Sequence, residues 1–197
     1  MGANPRAGAS PRYPRLEIYT DRIEDNARSV VTRCGRLGIS VAGVTKGACG
    51  HPEVAQAMLR GGVSMLADSR LVNLSRMKRA GIAAQMMLIR LPSPSEIEDV
   101  VMLADHSLNS ELEVIRALGE RAAAAGRVHG VTLMVDVGER REGIVPDLVQ
   151  DACRQIASFK GVRLEALGTN VACLSGVLPT RENVQALVDL AQDVGRE

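Results

Sequence analysis

Hydrophobic positions along this chain follow two rhythms that alternate with each other. Residues 16–19 alternate like a short strand. A helical rhythm follows, with Ile23, Ala27, Val30, Val31 and Cys34 on one face. It predicts a helix capped by Thr20 or Asp21, running to about Leu37 and ended by Gly38. A short, partly β-branched apolar run then ends on Lys46, and reads as a buried parallel strand. Helical spacing returns with Val54, Ala55, Met58 and Leu59 and stops at Gly61 and Gly62. Strands over 63–67, 85–91, 106–108, 131–135 and 163–167 alternate with helices over 71–80, 95–103, 111–125, 146–158 and 180–194. Ser95 is the expected cap of the helix after Pro92 and Pro94.

Six predicted strands follow the first helix, and polar residues come after each of them. No glycine fingerprint of the G-x-G-x-x-G type opens a helix. This pattern predicts an α/β fold, a (β/α)8 TIM-barrel-like domain rather than a doubly wound sheet, and an incomplete one, about two βα units short of closure.

Composition narrows the partners. The chain has 197 residues, a net charge of +1 and 2% aromatics. Neither a basic footprint nor a stacking platform for nucleic acid is present. Hydrophobic residues reach 46%, yet no apolar run approaches the roughly 20 residues of a membrane span. Residues 1–13 carry Gly, Pro, Ala and Arg without an apolar stretch. They are expected to be a disordered leader to one domain over 14–197. Cys34, Cys49, Cys153 and Cys173 are widely spaced and form no C-x-x-C pair. Reduced thiols, no metal site and a cytoplasmic location are expected.

In a barrel, side chains after the strands converge at the carboxyl-end mouth around one small ligand. The candidates are Lys46, Asp68-Ser69, Arg90, Asn109-Ser110, residues 136–141 and Thr169-Asn170. A strand-end lysine with a poorly solvated ammonium suits Schiff-base chemistry, because desolvation lowers its pKa. The alternative is a lysine reaching out to solvent. Asp68-Ser69 and Asn109-Ser110 also read as helix caps, Arg90 as a carboxylate partner and Asp136 as a loop-orienting residue. His106 and His129 sit at or before strand starts, on the opposite rim, and read as structural.

Four segments in order carry a family resemblance: Val44-Thr45-Lys46-Gly47, residues 67–74 (ADSRLVNL), residues 108–113 (LNSELE) and residues 134–143 (MVDVGERREG). They resemble the fold-type-III pyridoxal-phosphate enzymes of the alanine racemase superfamily, most closely the ornithine racemase-like branch. The last of them is similar to that family's D-x-G-x-x-R-x-G segment. The resemblance runs from about Tyr13 to the end and corresponds to the amino-terminal barrel portion. It implies an isomerase that interconverts L- and D-amino acids, with pyridoxal 5′-phosphate held as an aldimine on Lys46, which is also one base at the substrate α-carbon. It further implies cofactor contacts from Asp68, Arg90, Asn109, Arg141 and Asn170, with Arg141 also near the substrate carboxylate.

The departures shape the expectation. Cys49-Gly50-His51 follow the lysine where alanine racemases have tyrosine, glycine and histidine, which points to the broader amino-acid racemase branch. In the family a phosphate loop, an opposing tyrosine base and a carboxyl-terminal β domain come later, the tyrosine reaching across a homodimer. The expected picture is the right lysine in an incomplete site of a truncated chain. A non-catalytic, single-domain pyridoxal-phosphate homeostasis barrel is the alternative, and a cofactor-free Schiff-base aldolase a third reading.

Overall fold

The computed structural model describes residue 14, residues 16–173 and residues 176–195; the expected leader lies outside the described residues. Within them, six strands form one all-parallel sheet in strict sequence order. They are β1 (Ala42–Val44), β2 (Met65–Asp68), β3 (Met86–Leu88), β4 (His106–Asn109), β5 (His129–Met134) and β6 (Val162–Gly168). The helices are α1 (Thr20–Gly35), α2 (Pro52–Arg60), α3 (Leu71–Arg79), α4 (Ile97–Leu103), α5 (Leu112–Ala124), α6 (Val149–Ser158) and α7 (Arg181–Val194). A doubly wound sheet reverses its strand order at a switch point, whereas this order never reverses. Each helix packs against the next one along the chain, as in an incomplete α/β barrel.

Register and period-two alternation divide every strand into an outer and an inner face. Leu66, Met86, Leu88, Val131 and Leu133 face the helices and are fully buried. There they join Leu74, Met77, Val100, Ile115, Leu118, Val149 and Ile156 in two adjoining clusters. Removing each such side chain from water contributes about 1.5–3 kcal/mol. The opposite, concave face carries Ala67, Met87, Leu108, Thr132 and Met134. Aromatics are scarce, so Leu, Ile, Val, Met and Ala build most of the core.

Several expectations are corrected. Residues 16–19 form no strand, for Leu16 is 86% exposed and no neighbouring strand pairs with it. The N-cap of α1 is Tyr19, with no side-chain cap bond from Thr20 or Asp21. The turn before α4 is capped by Ser93, not Ser95: Ser93 and Glu96 form a reciprocal capping box around the short helix Pro94–Glu96. The third strand stops at Leu88, so Ile89 and Arg90 lie in the loop beyond it.

Candidate active site

At the carboxyl ends of β1 to β5 the concave face opens into a cavity of about 430 Å³. It is lined by Lys46, Ser69, Arg90, Leu108, Met134, Arg141 and Glu142, among others. That volume falls within the roughly 300–1,000 Å³ typical of small-molecule sites.

Lys46 opens a single 3-10 turn, Lys46–Ala48, two residues beyond β1. It is exposed, which corrects the expectation of a poorly solvated ammonium. The reason is topological: β1 is the edge strand of the sheet, and among the described residues no strand pairs with its free edge. Lys46 Nζ has no hydrogen-bond or ion-pair partner among the described residues. The turn itself is tightly tied. Thr45 O accepts from Ala48 N (2.9 Å) and Gly50 N (3.2 Å), and Arg76 Nη1 donates to Cys49 O. Cys49 and Gly50 both take positive φ, 52° and 63°.

Two of the residues expected at the ligand point elsewhere. Asp68 is fully buried on the outer face, where its carboxylate accepts from Thr45 Oγ1 (2.7 Å), Asn73 Nδ2 (2.9 Å) and Arg70 N (3.0 Å). Asn109, 1% exposed, donates to Ser107 O and Oγ, and its Oδ1 has no partner. Neither lines the cavity. Their chain neighbours Ser69 and Leu108 do, because consecutive residues at a strand end face opposite ways.

Arg90 and Arg141 do line the cavity, whereas Asn170 does not and reaches it only through Glu142. Arg90 lines it while pairing with Glu96 at 2.6 Å. Arg141 Nε pairs with Glu142 Oε2 at 2.8 Å, and its Nη1 donates to Cys173 Sγ at 2.7 Å. Asn170 Nδ2 donates to Glu142 Oε1, so one carboxylate aligns the arginine and the amide. Glu142 was not singled out from the sequence; its position between Arg141 and Gly143 was the available signal.

The loop that carries Arg141 is closed at its base. Ile144 N donates to Met134 O and Asp136 N to Ile144 O, both 2.9 Å. Inside it, Asp136 Oδ1 accepts from Gly138 N (2.9 Å) and Arg140 N (3.0 Å), the loop-orienting role expected of it. These two N–H groups, Arg140 first, hold the Asp136 carboxyl below the usual carboxylate range. A depressed folded-state pKa stabilises the loop above the unfolded value of about 3.9, and the effect fades as pH falls through the folded value. The amide resonances of Gly138 and Arg140 are therefore expected to titrate only below about pH 4. A midpoint between about pH 5 and 7 in an NMR titration would contradict this assignment.

His106 and His129 lie on the opposite rim, where they open β4 and β5. His106 Nδ1 bonds Glu165 Oε2 (2.8 Å) and its Nε2 bonds Thr132 Oγ1 (2.7 Å), while His129 Nε2 bonds Ser107 Oγ (2.8 Å). Burial pushes both imidazoles down, His129 to about 4. Among the described residues no helix is long and apolar enough to cross a membrane. Nor does any group of three or more His, Cys, Asp or Glu side chains stand ready to hold a metal ion.

Residues 18–197 match the family model described as alanine racemase, N-terminal domain. The chain is 38% identical over 180 residues to a lysine racemase of Thermotoga maritima, covering 91% of this chain and 50% of that protein. It is 32% identical over 186 residues to an ornithine racemase of Acetoanaerobium sticklandii, covering 94% and 52%. The chain thus spans about half the length of the curated relatives it matches. Among solved structures, an alanine racemase of Clostridium difficile 630 superposes with a TM-score of 0.72 at 22% identity, covering 88% of this chain and 48% of that one, a likeness of fold.

Proposed function

Because the chain belongs to the family of the alanine racemase N-terminal domain, we propose that it is the lysine-bearing barrel of a pyridoxal-phosphate-dependent amino-acid racemase. The observation that carries this reading is Lys46, without a side-chain partner among the described residues, on the wall of a carboxyl-end cavity that Arg141 shares. The relatives act, by name, on lysine and ornithine, which favours a racemase of small, basic amino acids over a non-catalytic cofactor barrel.

The residues present suit the cofactor. The Lys46 side chain would hold its aldehyde carbon, the Arg90 and Arg141 guanidinium groups would supply positive charge, and Ile89, Leu91, Leu108 and Met134 would give an apolar wall for a ring. When bound, pyridoxal 5′-phosphate would withdraw the electron pair left on the α-carbon after deprotonation. The chain's own residues supply one side of the proton transfer and the substrate contacts. Lys46 Nζ carries a proton to and from one face of the α-carbon. Arg141, aligned by Glu142, orients the substrate carboxylate in a two-point contact. Asn170, bonded to the same Glu142, would stand behind that carboxylate and help hold it. The opposing base and the dimer contact belong, in this reading, to parts that the relatives have beyond the matched half.

The test is α-hydrogen exchange. With pyridoxal phosphate in D2O, L-lysine or L-ornithine is expected to gain α-deuterium, and chiral chromatography to detect the D-enantiomer. The reading fails if L-lysine, L-ornithine and L-alanine all keep their α-hydrogen while borohydride fixes no pyridoxal group on Lys46.

A further inference from the structure

Asp68 does not face the cavity, yet it is bonded to the residue immediately before Lys46. From this geometry we infer that Asp68 and Asn73 form a buried clamp that positions the Lys46 turn, making Asp68, Thr45 and Asn73 positioning residues. The inference rests on the racemase reading only for what the positioned amine is used for.

Both ends of the turn meet the same pair. At its start, Thr45 is fully buried and donates Oγ1–H to Asp68 Oδ2 at 2.7 Å, while its backbone N donates to Ala67 O at 2.9 Å. Thr45 is the N-cap of the turn, but its hydroxyl caps no backbone group there; it is committed to β2 instead. At the other end, Gly50 lies directly on Asn73: a Cβ there would stand 2.7 Å from Asn73 Cβ and 2.9 Å from Asn73 O. Asn73 in turn donates to Asp68 Oδ1 at 2.9 Å, and Arg70 N donates to the same oxygen at 3.0 Å. The five residues from Lys46 to Gly50 are therefore bonded through Thr45 to Asp68 at one end and packed closely against Asn73 at the other.

The clamp has a consequence for an edge strand. Among the described residues no strand pairs with the free edge of β1, and the Lys46 side chain has no hydrogen-bond or ion-pair partner. Its placement then depends on the backbone of the turn. A displacement of about 1 Å in a reacting group can cost roughly 10²-fold in rate. A hydrogen bond to a carboxylate is among the stronger kinds, and an acceptor left unpaired in the interior carries its full desolvation cost.

The decisive variant is Thr45→Val, which keeps the shape and removes the hydroxyl, with Thr45→Ser as the restoring control. Amide exchange of Ala48, Cys49 and Gly50, measured without cofactor, is expected to quicken about tenfold or more in Thr45→Val. The β5 amides should stay as in wild type, and Thr45→Ser should restore protection. With cofactor, kcat is expected to fall about ten- to hundredfold with KM nearly unchanged, because the reacting amine and not substrate binding is displaced. Unchanged exchange at all three amides in Thr45→Val overturns the clamp. So does a Thr45→Ser variant as fast as Thr45→Val. If Thr45→Val does not fold, Asp68→Asn takes its place. It keeps an oxygen for Arg70 N and Asn73, and is expected to loosen the same three amides by a smaller factor; no loosening overturns the inference. A wild-type chain on which borohydride traps nothing at Lys46 would sink the racemase reading, and the exchange measurement would still decide the clamp.

Discussion

Lys46→Ala is expected to reduce racemisation at least about 10³-fold while leaving the melting temperature almost unchanged. The activity loss combines the missing covalent anchor with the missing base, and general acid–base help alone is worth roughly 10²–10⁴-fold. Stability should hold because the side chain is exposed and makes no bond that folding relies on; surface substitutions of this kind stay within about 0.5 kcal/mol. The chain has only three lysines, which sharpens the readout. Lys78, at the end of α3, donates to Met102 O, and Lys160 lies in the turn that leads into β6. Both belong to the amino-end side of the sheet, away from the cavity. Peptide mapping after borohydride treatment should therefore find a pyridoxal group on Lys46 in wild type and on no lysine in the variant. An adduct of equal yield on Lys78 or Lys160 in Lys46→Ala would count against the assignment.

Gly143→Ala is the second large effect expected, and here stability and activity should fall together. Gly143 has φ of +117°, a region that L side chains rarely adopt. An added Cβ would stand 2.5 Å from Asp136 N and 2.6 Å from Val135 C, both backbone atoms with nowhere to retreat. Relieving the overlap means opening the Asp136–Ile144 and Ile144–Met134 bonds at the base of the loop. Strain of about 1–3 kcal/mol, plus roughly 1 kcal/mol for each lost bond, predicts a melting temperature about 5–15 °C lower. Arg141 rides on this loop, so the affinity for substrate should weaken as well. A variant that melts with wild type and keeps its KM would show that the loop tolerates a side chain at 143.

Much of the scaffold was legible because helix and strand differ in period. α5, with Ile115 and Leu118 inside, and β5, a buried strand built around Val131, Leu133 and Met134, fall within a residue or two of their expected limits. Residues 16–19 alternate as well as a strand does, but alternation describes side chains and cannot say whether another strand lies alongside. The same blindness applies to Lys46. Its location after a strand was readable, whereas its exposure depends on β1 being at the sheet edge, a property of the assembled fold. The candidate site divides in the same way. That strand ends carry the chemistry followed from the architecture, but which of two adjacent polar residues turns inward did not. Asp68 and Asn109 face the helices, and Ser69 and Leu108 line the cavity, because parity at a strand end is set by register with neighbouring strands.

That parity has an evolutionary side. At each strand end one residue answers to the scaffold and its chain neighbour answers to the ligand, so the two can be selected almost independently. Exchanges at positions 69, 89 or 108 would reshape the cavity wall without disturbing the outer clusters. Positions 68, 107 and 109 are tied by bonds within the scaffold, so exchanges there would act on the barrel and not on the cavity.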